Sequence, residues 1–503
     1  MLVQPGNGVP VILSSILESG DYVGTKEIAF RSCGTDPFEK LRKGLFVCLS
    51  ENAAEAEEMI EQALISGATS IVVRRGLLGS FQLFREQDFI FEADKPELVY
   101  GRACQALMGT PAEKLKLIAV TGTSGKTALS YIIASVLAES GNTVGFAGSL
   151  GVYDGVGIIP NSDPSPDAAK LALYLAKMVK NKCTHAIIEV SSLALEKGVL
   201  EGIQFDAVCL TNIRRDHLDI HGTVELYRRA KMRIFDYIKP ESVVVCNVDD
   251  RVTEAILPLI KSPVMTVGMH PSDAMVNGMP IEQDKTSQTF YIVAGIDAVP
   301  VRTRIIGTEH IYNCMIAAAL GISWNIDLRT IVRGLERVEH IPCRLERIDC
   351  GQPFAVFVDC ASTPDSIASS LNTLRGVSSG RIFCLFGIPG DNETSKRPMI
   401  GKELENLADT VILAPGNIKT TGAESRMNDV LAGFEDKDGV KIFSNRREAM
   451  IWLLTEASPD DTVLIISASH SSEVKTRKEQ AADRQFVRHW LYENQPCMEP
   501  FWF

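Results

Sequence analysis

Several features that would settle the class of this chain at once are missing from it. No stretch of about 18 uninterrupted apolar residues occurs, which excludes a membrane-spanning helix. The opening "MLVQPGNGVPVILSS" lacks the basic n-region of a signal peptide, so no secretory leader is expected. Excess positive charge is missing too. A net charge of −12 and a pI near 5.3 argue against a nucleic-acid binder, which would carry a basic face. No C-x-x-C pair occurs among the twelve cysteines, which stand singly, many inside apolar runs such as "AVCL", "VVVCNV" and "IFCLF". That pattern predicts reduced thiols in a cytoplasmic protein rather than disulfides or zinc. There is no internal repeat, no low-complexity tract and no G-x-G-x-x-G fingerprint.

What is present is a long, ordinary globular composition. At 503 residues the chain exceeds a single core and suggests two to four domains, with 45% hydrophobic and 23% charged residues. In the first hundred residues "KGLFVCLS" and "ATSIVVRR" read as strands around a helical "AAEAEEMIEQALISG". The polar "GTPAEKLK" at 109–116 marks a boundary. From residue 117 strand, turn and helix alternate: "LIAVTG", the helix "ALSYIIASVLAESG" closed by Gly141, then "HAIIEV", "FDAVCLTNI" and "SVVVCNVDD". Strands that are apolar throughout, separated by helices, indicate a parallel sheet covered on both faces. A second break falls near "EHIPCRLERID", 339–349, after which "FAVFVDC", "RIFCLFG", "DTVILA" and "DTVLIISAS" repeat the pattern. The expected architecture is α/β in three domains: 1–112, a central P-loop parallel-sheet domain at 113–341, and a Rossmann-like domain at 342–503.

The loop "VTGTSGKT" carries the first chemistry. It lacks the leading glycine of G-x-x-x-x-G-K-[ST], having Val120 there, yet it lies between a strand and a helix, as a phosphate cradle must. Backbone N–H groups of Gly122, Thr123, Ser124 and Gly125 would face a polyphosphate, Lys126 would supply a point charge and Thr127 a hydroxyl for Mg²⁺. The plainer alternative is a tight turn whose glycines only relieve strain. In a parallel sheet the strand ends gather along the same edge as this loop, which brings in Glu189, Asn212 and the stretch "RRDHLDIHG". A carboxylate ending an apolar strand, as Glu189 does, is costly unless paired or metal-bound, although it could also serve the helix start at Ser191 or Ser192. His217 and His221 stand at i, i+4 without the H-E-x-x-H glutamate or a third ligand, so a dedicated zinc site is not expected.

The ordered motifs resemble the Mur ligase family, ATP-dependent amide ligases of bacterial cell-wall synthesis, and most closely the branch that adds the third residue of the peptide. The family's shortened loop G-T-N-G-K-T stands here as "GTSGKT", which accounts for Val120. In the same order follow "EVSS", "TNIRRDHLDIHGT", "YRRAKMRIF", "NVDD", "YN…AAA", "RLERI", "VDCASTPDSI" and "GDNETSKRPMIG", over about residues 115–485. The resemblance implies that Lys126 and Thr127 hold the ATP phosphates and Mg²⁺, with Glu189 and His217 as further metal ligands. It implies a carbamylated Lys231 helping to bind a second Mg²⁺, an adenine contact at Asn313, and ribose or phosphate contacts at Arg344 and Asp359. Taken alone, Lys231 reads as a solvated helical lysine and Asp359 as a turn-capping aspartate. Lys126, Lys231 and His217 are the implied catalytic groups. A first domain binding the UDP-sugar peptide, a last domain binding the amino acid, a monomeric state and peptidoglycan precursor synthesis are implied with them.

Departures from the family cluster on the acceptor and amino-acid side, where the implied contacts are Ser165, Ser191, Asn417, Lys419 and His470. The "DSR" of the first domain has no clear counterpart, and "TTP" becomes "PSP" at 164–166. "EVSSHAL" becomes "EVSSLAL" with Leu193, and "DYAHTPD" becomes "DCASTPD". The amino-acid-selecting "DNPR" falls at "GNIK", 416–419, and "GKGHE" at "SASHS", 467–471. Lys419 retains one cation without the bidentate fork of arginine. The amino acid is therefore not specified. Two alternatives remain beside the cell-wall ligase: a related ligase using another carboxylate acceptor, and an ATP-binding homologue with a regulatory or scaffold role.

Overall fold

In a computed structural model the chain is described at residues 10–16, 22–23, 29–41, 43–81, 89–159, 166–270, 274–388, 393–416, 423–467 and 475–494. It is an α/β protein built on three large sheets, with Val11–Ile12 and Ala29–Phe30 forming a small antiparallel pair beside them. The first has five strands in the order Tyr22–Val23, Ile90–Ala93, Ala68–Arg74, Gly44–Val47, Cys33–Gly34, parallel except at Tyr22–Val23. The helix Ala53–Ile65 beside it starts at Asn52, whose side chain accepts from the N–H groups of Ala54 and Glu55 and so satisfies two orphan donors.

The central sheet of eleven strands carries the candidate site. Its middle is parallel, with Val144–Gly148, His185–Val190, Lys116–Thr121, Phe205–Leu210, Ile238–Asn247 and Val264–Gly268 side by side. Their side chains alternate between two apolar layers. Ile118, Val120, Ile187, Cys209 and Val245 pack under the helices Lys126–Glu139 and Thr308–Ser323. Leu117, Ala119, Ile188, Val208 and Val244 face the other layer with Leu171, Leu175 and Tyr227. Burial on both faces is why these strands read as unbroken apolar runs, each large side chain contributing roughly 1.5–3 kcal/mol.

The sheet is not parallel to its edge, as the sequence reading had it. Val276–Gln283, Gln288–Ala294 and Asp297–Thr303 form an antiparallel meander. Its strands alternate, with Phe290 and Ile292 buried and Tyr291 exposed between them, the mark of a sheet wet on one face. The third sheet runs Glu346–Ile348, Ala355–Asp359, Thr462–Ile466, Ile382–Ile388, Thr410–Pro415, Lys441–Ile442 and is parallel except at its first strand. Among the described residues no helix is long and apolar enough to cross a membrane. The eleven described cysteines are free thiols, and all but Cys350 are buried.

One close approach fixes how the central helices stack. Gly334, in the helix Leu328–Glu336, lies so near Val136 that a Cβ there would fall 2.6 Å from its Cα, and Ser135 Oγ donates to the Gly334 carbonyl at 2.7 Å. Helix propensity alone would favour alanine by about 1 kcal/mol. Forced separation of packed helices costs about 1–3 kcal/mol and outweighs it. Gly334→Ala is expected to lower the midpoint of thermal unfolding; an unchanged or raised midpoint would show that the helices part freely.

Candidate active site

The loop after Lys116–Thr121 is held by geometry that only glycine allows. Gly122 has φ +144°, and a Cβ on it would come within 1.9 Å of Thr211 Oγ1; Gly125 has φ +86° beneath the Asn313 amide. The neighbouring strand end pins the loop from below. Asn212 accepts from Thr123 N–H through its carbonyl (2.9 Å) and from Ser124 N–H through Oδ1 (3.1 Å). Thr211 Oγ1 donates to the Ser124 carbonyl at 2.6 Å, and Thr123 Oγ1 lies 2.9 Å from the Tyr227 hydroxyl. Lys126 opens the helix and folds its Nζ back onto the carbonyls of Gly122 (3.0 Å) and Thr123 (2.9 Å). Burial and then Arg344 pull its pKa down, while Glu189 and Asp216 oppose the fall.

Beside the loop sits an acidic centre. Thr127 Oγ1 donates to Glu189 Oε2 at 3.2 Å, and the same oxygen takes the Ser149 N–H (3.2 Å) and hydroxyl (2.9 Å). Glu189 Oε1 is buried and makes no hydrogen bond. A buried acceptor left in that state costs about 1–3 kcal/mol, and more when charged. Glu189 is thus no helix cap; Ser191 performs that task itself, its Oγ accepting from Ala194 N–H at 3.0 Å. Thr127 and a carboxylate with one open oxygen suit Mg²⁺, which is bound through one or two carboxylates plus phosphates and water. Among the described residues no group of three or more His, Cys, Asp or Glu side chains forms an all-protein metal cage.

Lys231 is not a solvated helical lysine. It is buried, 2% exposed, and its Nζ donates to the Gly122 carbonyl at 2.7 Å, 5.5 Å above the Tyr227 ring. Burial and then the charge of Lys126 push its pKa well below the usual lysine value, with Asp216 opposing, so the neutral amine becomes accessible. His217 stands at the mouth, about half exposed (49%), in a left-handed backbone (φ +52°), with Nε2 3.5 Å from Asp216. His221 turns away: its ring nitrogens meet Ser192 Oγ (2.9 Å) and Glu196 (3.3 Å). From the third sheet Arg344 Nη2 reaches Thr127 Oγ1 at 3.4 Å. Asp359 accepts the N–H groups of Leu345 and Ala361, each at 2.6 Å, so its carboxylate caps a turn.

The chain is 30% identical over 437 residues to the UDP-N-acetylmuramoyl-L-alanyl-D-glutamate–2,6-diaminopimelate ligase of Geobacillus thermodenitrificans, covering 85% of this chain and 87% of that one. Residues 120–321 match the family pattern of the Mur ligase middle domain, and 343–469 that of the Mur ligase, glutamate ligase domain. The chain belongs to the Mur ligase family. The Bacillus licheniformis ligase of the same name is 29% identical over 474 residues, 92% of this Mur ligase and 94% of the relative. A solved structure of a ligase of that name superposes with a TM-score of 0.65 at 25% identity, over 95% of this chain and 99% of the other. A Mycobacterium tuberculosis folylpolyglutamate synthase in complex with ADP shares the fold, with a TM-score of 0.62 at 19% identity over 78% and 95% of the two chains.

Within this Mur ligase, Gly122 to Thr127, Glu189, Asn313, Lys231 and Arg344 converge on one sheet edge, with His217 at its rim. Ser165, Asn417, Lys419 and His470 lie outside the described residues. Sequence reasoning missed Ser149, Thr211 and Tyr227; it brought Asn212 to the edge as one candidate among several, and the structure makes it a brace for the loop. Ser149 was reachable, since it follows a short apolar strand ending on the same edge. Glu189→Gln removes the unpaired buried charge while keeping an oxygen for Ser149 and Thr127. The magnesium-free protein is expected to gain about 1 kcal/mol in denaturant unfolding. Its Mg²⁺-dependent ADP formation should fall about 100-fold, near 2.7 kcal/mol of barrier. Loss of both stability and activity would contradict the assignment of an open ligand position.

Proposed function

We propose that this Mur ligase is an ATP-dependent amide ligase that adds an amino acid to an acceptor of the UDP-N-acetylmuramoyl-L-Ala-D-Glu type. The observation that carries the reading is the Thr127–Glu189 pair, with one carboxylate oxygen unpaired, beside a glycine loop whose lysine is already inside the cradle. The family membership and the names of its relatives supply the reaction class. In this reading residues 1–112 hold the sugar nucleotide, 113–341 the ATP and 342–503 the amino acid, within a single monomeric chain.

The chain's own groups then have defined tasks. The N–H groups of Gly122, Gly125 and the start of the Lys126–Glu139 helix receive the β- and γ-phosphates, those of Thr123 and Ser124 being already bonded to Asn212, and Lys126 exchanges its carbonyl partners for phosphate oxygens. Asn313 contacts adenine, while Arg344 and Asp359 bring the third domain to the ribose and phosphates. Thr127 and Glu189 would hold one Mg²⁺, with His217 and a carbamylated Lys231 serving a second. Bound Mg²⁺ neutralises phosphate charge and orients the phosphoryl group in flight. An acceptor carboxylate oxygen attacks the γ-phosphorus and ADP leaves. The amine nitrogen of the incoming residue, having shed a proton, then attacks the acyl carbon of the acyl phosphate, and phosphate departs. Both steps depend on positioning and on keeping water out.

Purified protein given ATP, Mg²⁺, bicarbonate, the UDP-N-acetylmuramoyl dipeptide and pooled amino acids is expected to yield a product one residue heavier by mass spectrometry. Lys126→Ala should abolish it. An intact Lys126→Ala protein with undiminished turnover would refute the mechanism. Absence of acceptor-dependent ADP from protein that binds ATP would point instead to another acceptor or to a regulatory role. Removal of bicarbonate should slow the wild type, because a carbamate forms from a neutral amine and carbon dioxide. The residual activity of Lys231→Ala should not respond to bicarbonate; a wild type equally indifferent to it would rule the carbamate out.

A further inference from the structure

Arg344 reaches the nucleotide edge from a stretch of backbone held in a costly conformation. The residues on either side of it, Cys343 at φ +56° and Leu345 at φ +41°, both lie in the left-handed region. Glycine enters that region freely; a side chain there crowds the following carbonyl, and such residues persist only where their surroundings over-determine them. Two of them flank one arginine at the passage from the central to the third domain, so something outside the segment must hold it.

Two buried carboxylates do so. Asp359 Oδ2 accepts the Leu345 N–H at 2.6 Å, and Glu346 Oε2 accepts the Cys343 N–H at 3.1 Å. The Arg344 N–H goes to the Ile341 carbonyl at 3.2 Å, so all three amides of the segment are engaged. Glu346 has no task in the chemistry above. It is 2% exposed and opens the edge strand Glu346–Ile348. Its Oε1 stands 3.0 Å from Arg484 Nη1 in the helix Lys475–Glu493, a charge contact without hydrogen-bond alignment. A buried ion pair of that kind does little to repay its own desolvation. The well-formed bond of Glu346 is the one to the backbone just before Arg344.

That backbone supports the guanidinium directly. Arg344 Nη1 donates to the Cys343 carbonyl at 3.2 Å, while Nη2 donates to Thr127 Oγ1 at 3.4 Å. The residue whose N–H is held by Glu346 is therefore the residue whose carbonyl braces the arginine. Rotation of Cys343 out of the left-handed region would move that carbonyl and release the side chain.

We propose that Glu346 is a positioning residue: by holding the Cys343 N–H, it fixes the left-handed turn whose carbonyl braces Arg344 beside Thr127. The inference rests on the reading of Arg344 as a nucleotide contact.

The test asks whether Glu346 acts through Arg344. Calorimetric binding of MgATP to the full chain is measured for Glu346→Asp, Arg344→Ala and the double variant, with thermal unfolding recorded beside it. Glu346→Asp keeps the charge and loses the reach to the Cys343 N–H. Residues of one contact network couple by about 2- to 150-fold in an equilibrium. Glu346→Asp is expected to raise the dissociation constant about 10-fold alone, and no more than about 2-fold beside Arg344→Ala. A loss of equal size in both backgrounds shows that Glu346 does not work through Arg344 and overturns the proposal. So does a lowered unfolding midpoint with unchanged affinity, the mark of a structural role only. Glu346→Gln keeps an oxygen for the Cys343 N–H and discards the charge facing Arg484; its affinity should stay within about 2-fold of wild type. If Glu346→Gln is the weakened variant and Glu346→Asp is normal, the ion pair with Arg484 sets the segment and the proposal falls. Normal affinity in both Glu346 variants, with Arg344→Ala weakened, overturns this proposal alone. Normal affinity in Arg344→Ala removes the reading of Arg344 as well.

Discussion

The hydrogen bonding of the Glu189 carboxylate governs the whole nucleotide edge of the central sheet. The strand that ends in it, His185–Val190, lies between two parallel neighbours, and its apolar side chains pack on both faces. One carboxylate oxygen is shared by Ser149 and Thr127 and the other has nothing. Gly148 lies against the same carboxylate: a Cβ on it would fall 2.3 Å from Oε1, so that position has to stay bare. The unliganded protein carries a cost of kilocalories here that a cation would relieve. Thr127 is thereby oriented before any ligand arrives, and the third domain's Arg344 finds its hydroxyl already in place.

A second constraint follows from crowding two lysines around one carbonyl. Lys126 and Lys231 both donate to Gly122 O. Two ammonium groups that close repel by roughly 3–4 kcal/mol at an effective dielectric of about 20. Exposure relieves Lys126 more than Lys231, which is buried, so the proton is lost more readily from Lys231. The same packing that shapes the phosphate loop therefore prepares a neutral amine beneath it. Tyr227 completes the arrangement by holding Thr123 through its hydroxyl while its ring lies under the Lys231 amine.

Much of this was legible in the chain and some was not, for physical reasons. Gly-Lys-Thr between a strand and a helix, and a carboxylate at the end of an apolar run, are local signals, and they named Lys126, Thr127 and Glu189. The parallel middle of the sheet was legible for the same reason, since burial on both faces leaves unbroken apolar strands. The meander at 276–303 was harder because its strands alternate weakly around Gly278, Pro280 and Pro300. The family resemblance supplied Lys231, whose burial no helical period reveals, because periodicity gives a buried face without saying which loop covers it. Ser149, Thr211 and Tyr227 are common residue types in unremarkable surroundings. Their roles come from partners brought together by the fold, such as Thr123 and Tyr227, 104 positions apart.

The two junctions between domains differ in kind. The first and second are joined through apolar packing: Ala168, Ala169 and Ala172 of the central domain share a cluster with Val99, Tyr100 and Ala103. A Cβ on Gly101 would come within 2.1 Å of the Glu201 carbonyl, which shows how close the two backbones lie. Parting them would expose apolar surface at about 25 cal/mol per Å². The third domain is held differently. Among the described residues Ile306 alone from the central domain enters a third-domain apolar cluster. Polar contacts across this junction join Arg344 with Thr127, Arg215 with Ser395, Gln283 with the Thr373 carbonyl and Lys285 with the Asp460 carbonyl. Partly exposed polar contacts exchange with water at about 0–1 kcal/mol each. A junction with one apolar peg and several exchangeable polar contacts separates and re-forms far more cheaply than the first. An acyl phosphate must be shielded from water but a substrate must first enter, and of the two junctions the polar one at the third domain costs less to open.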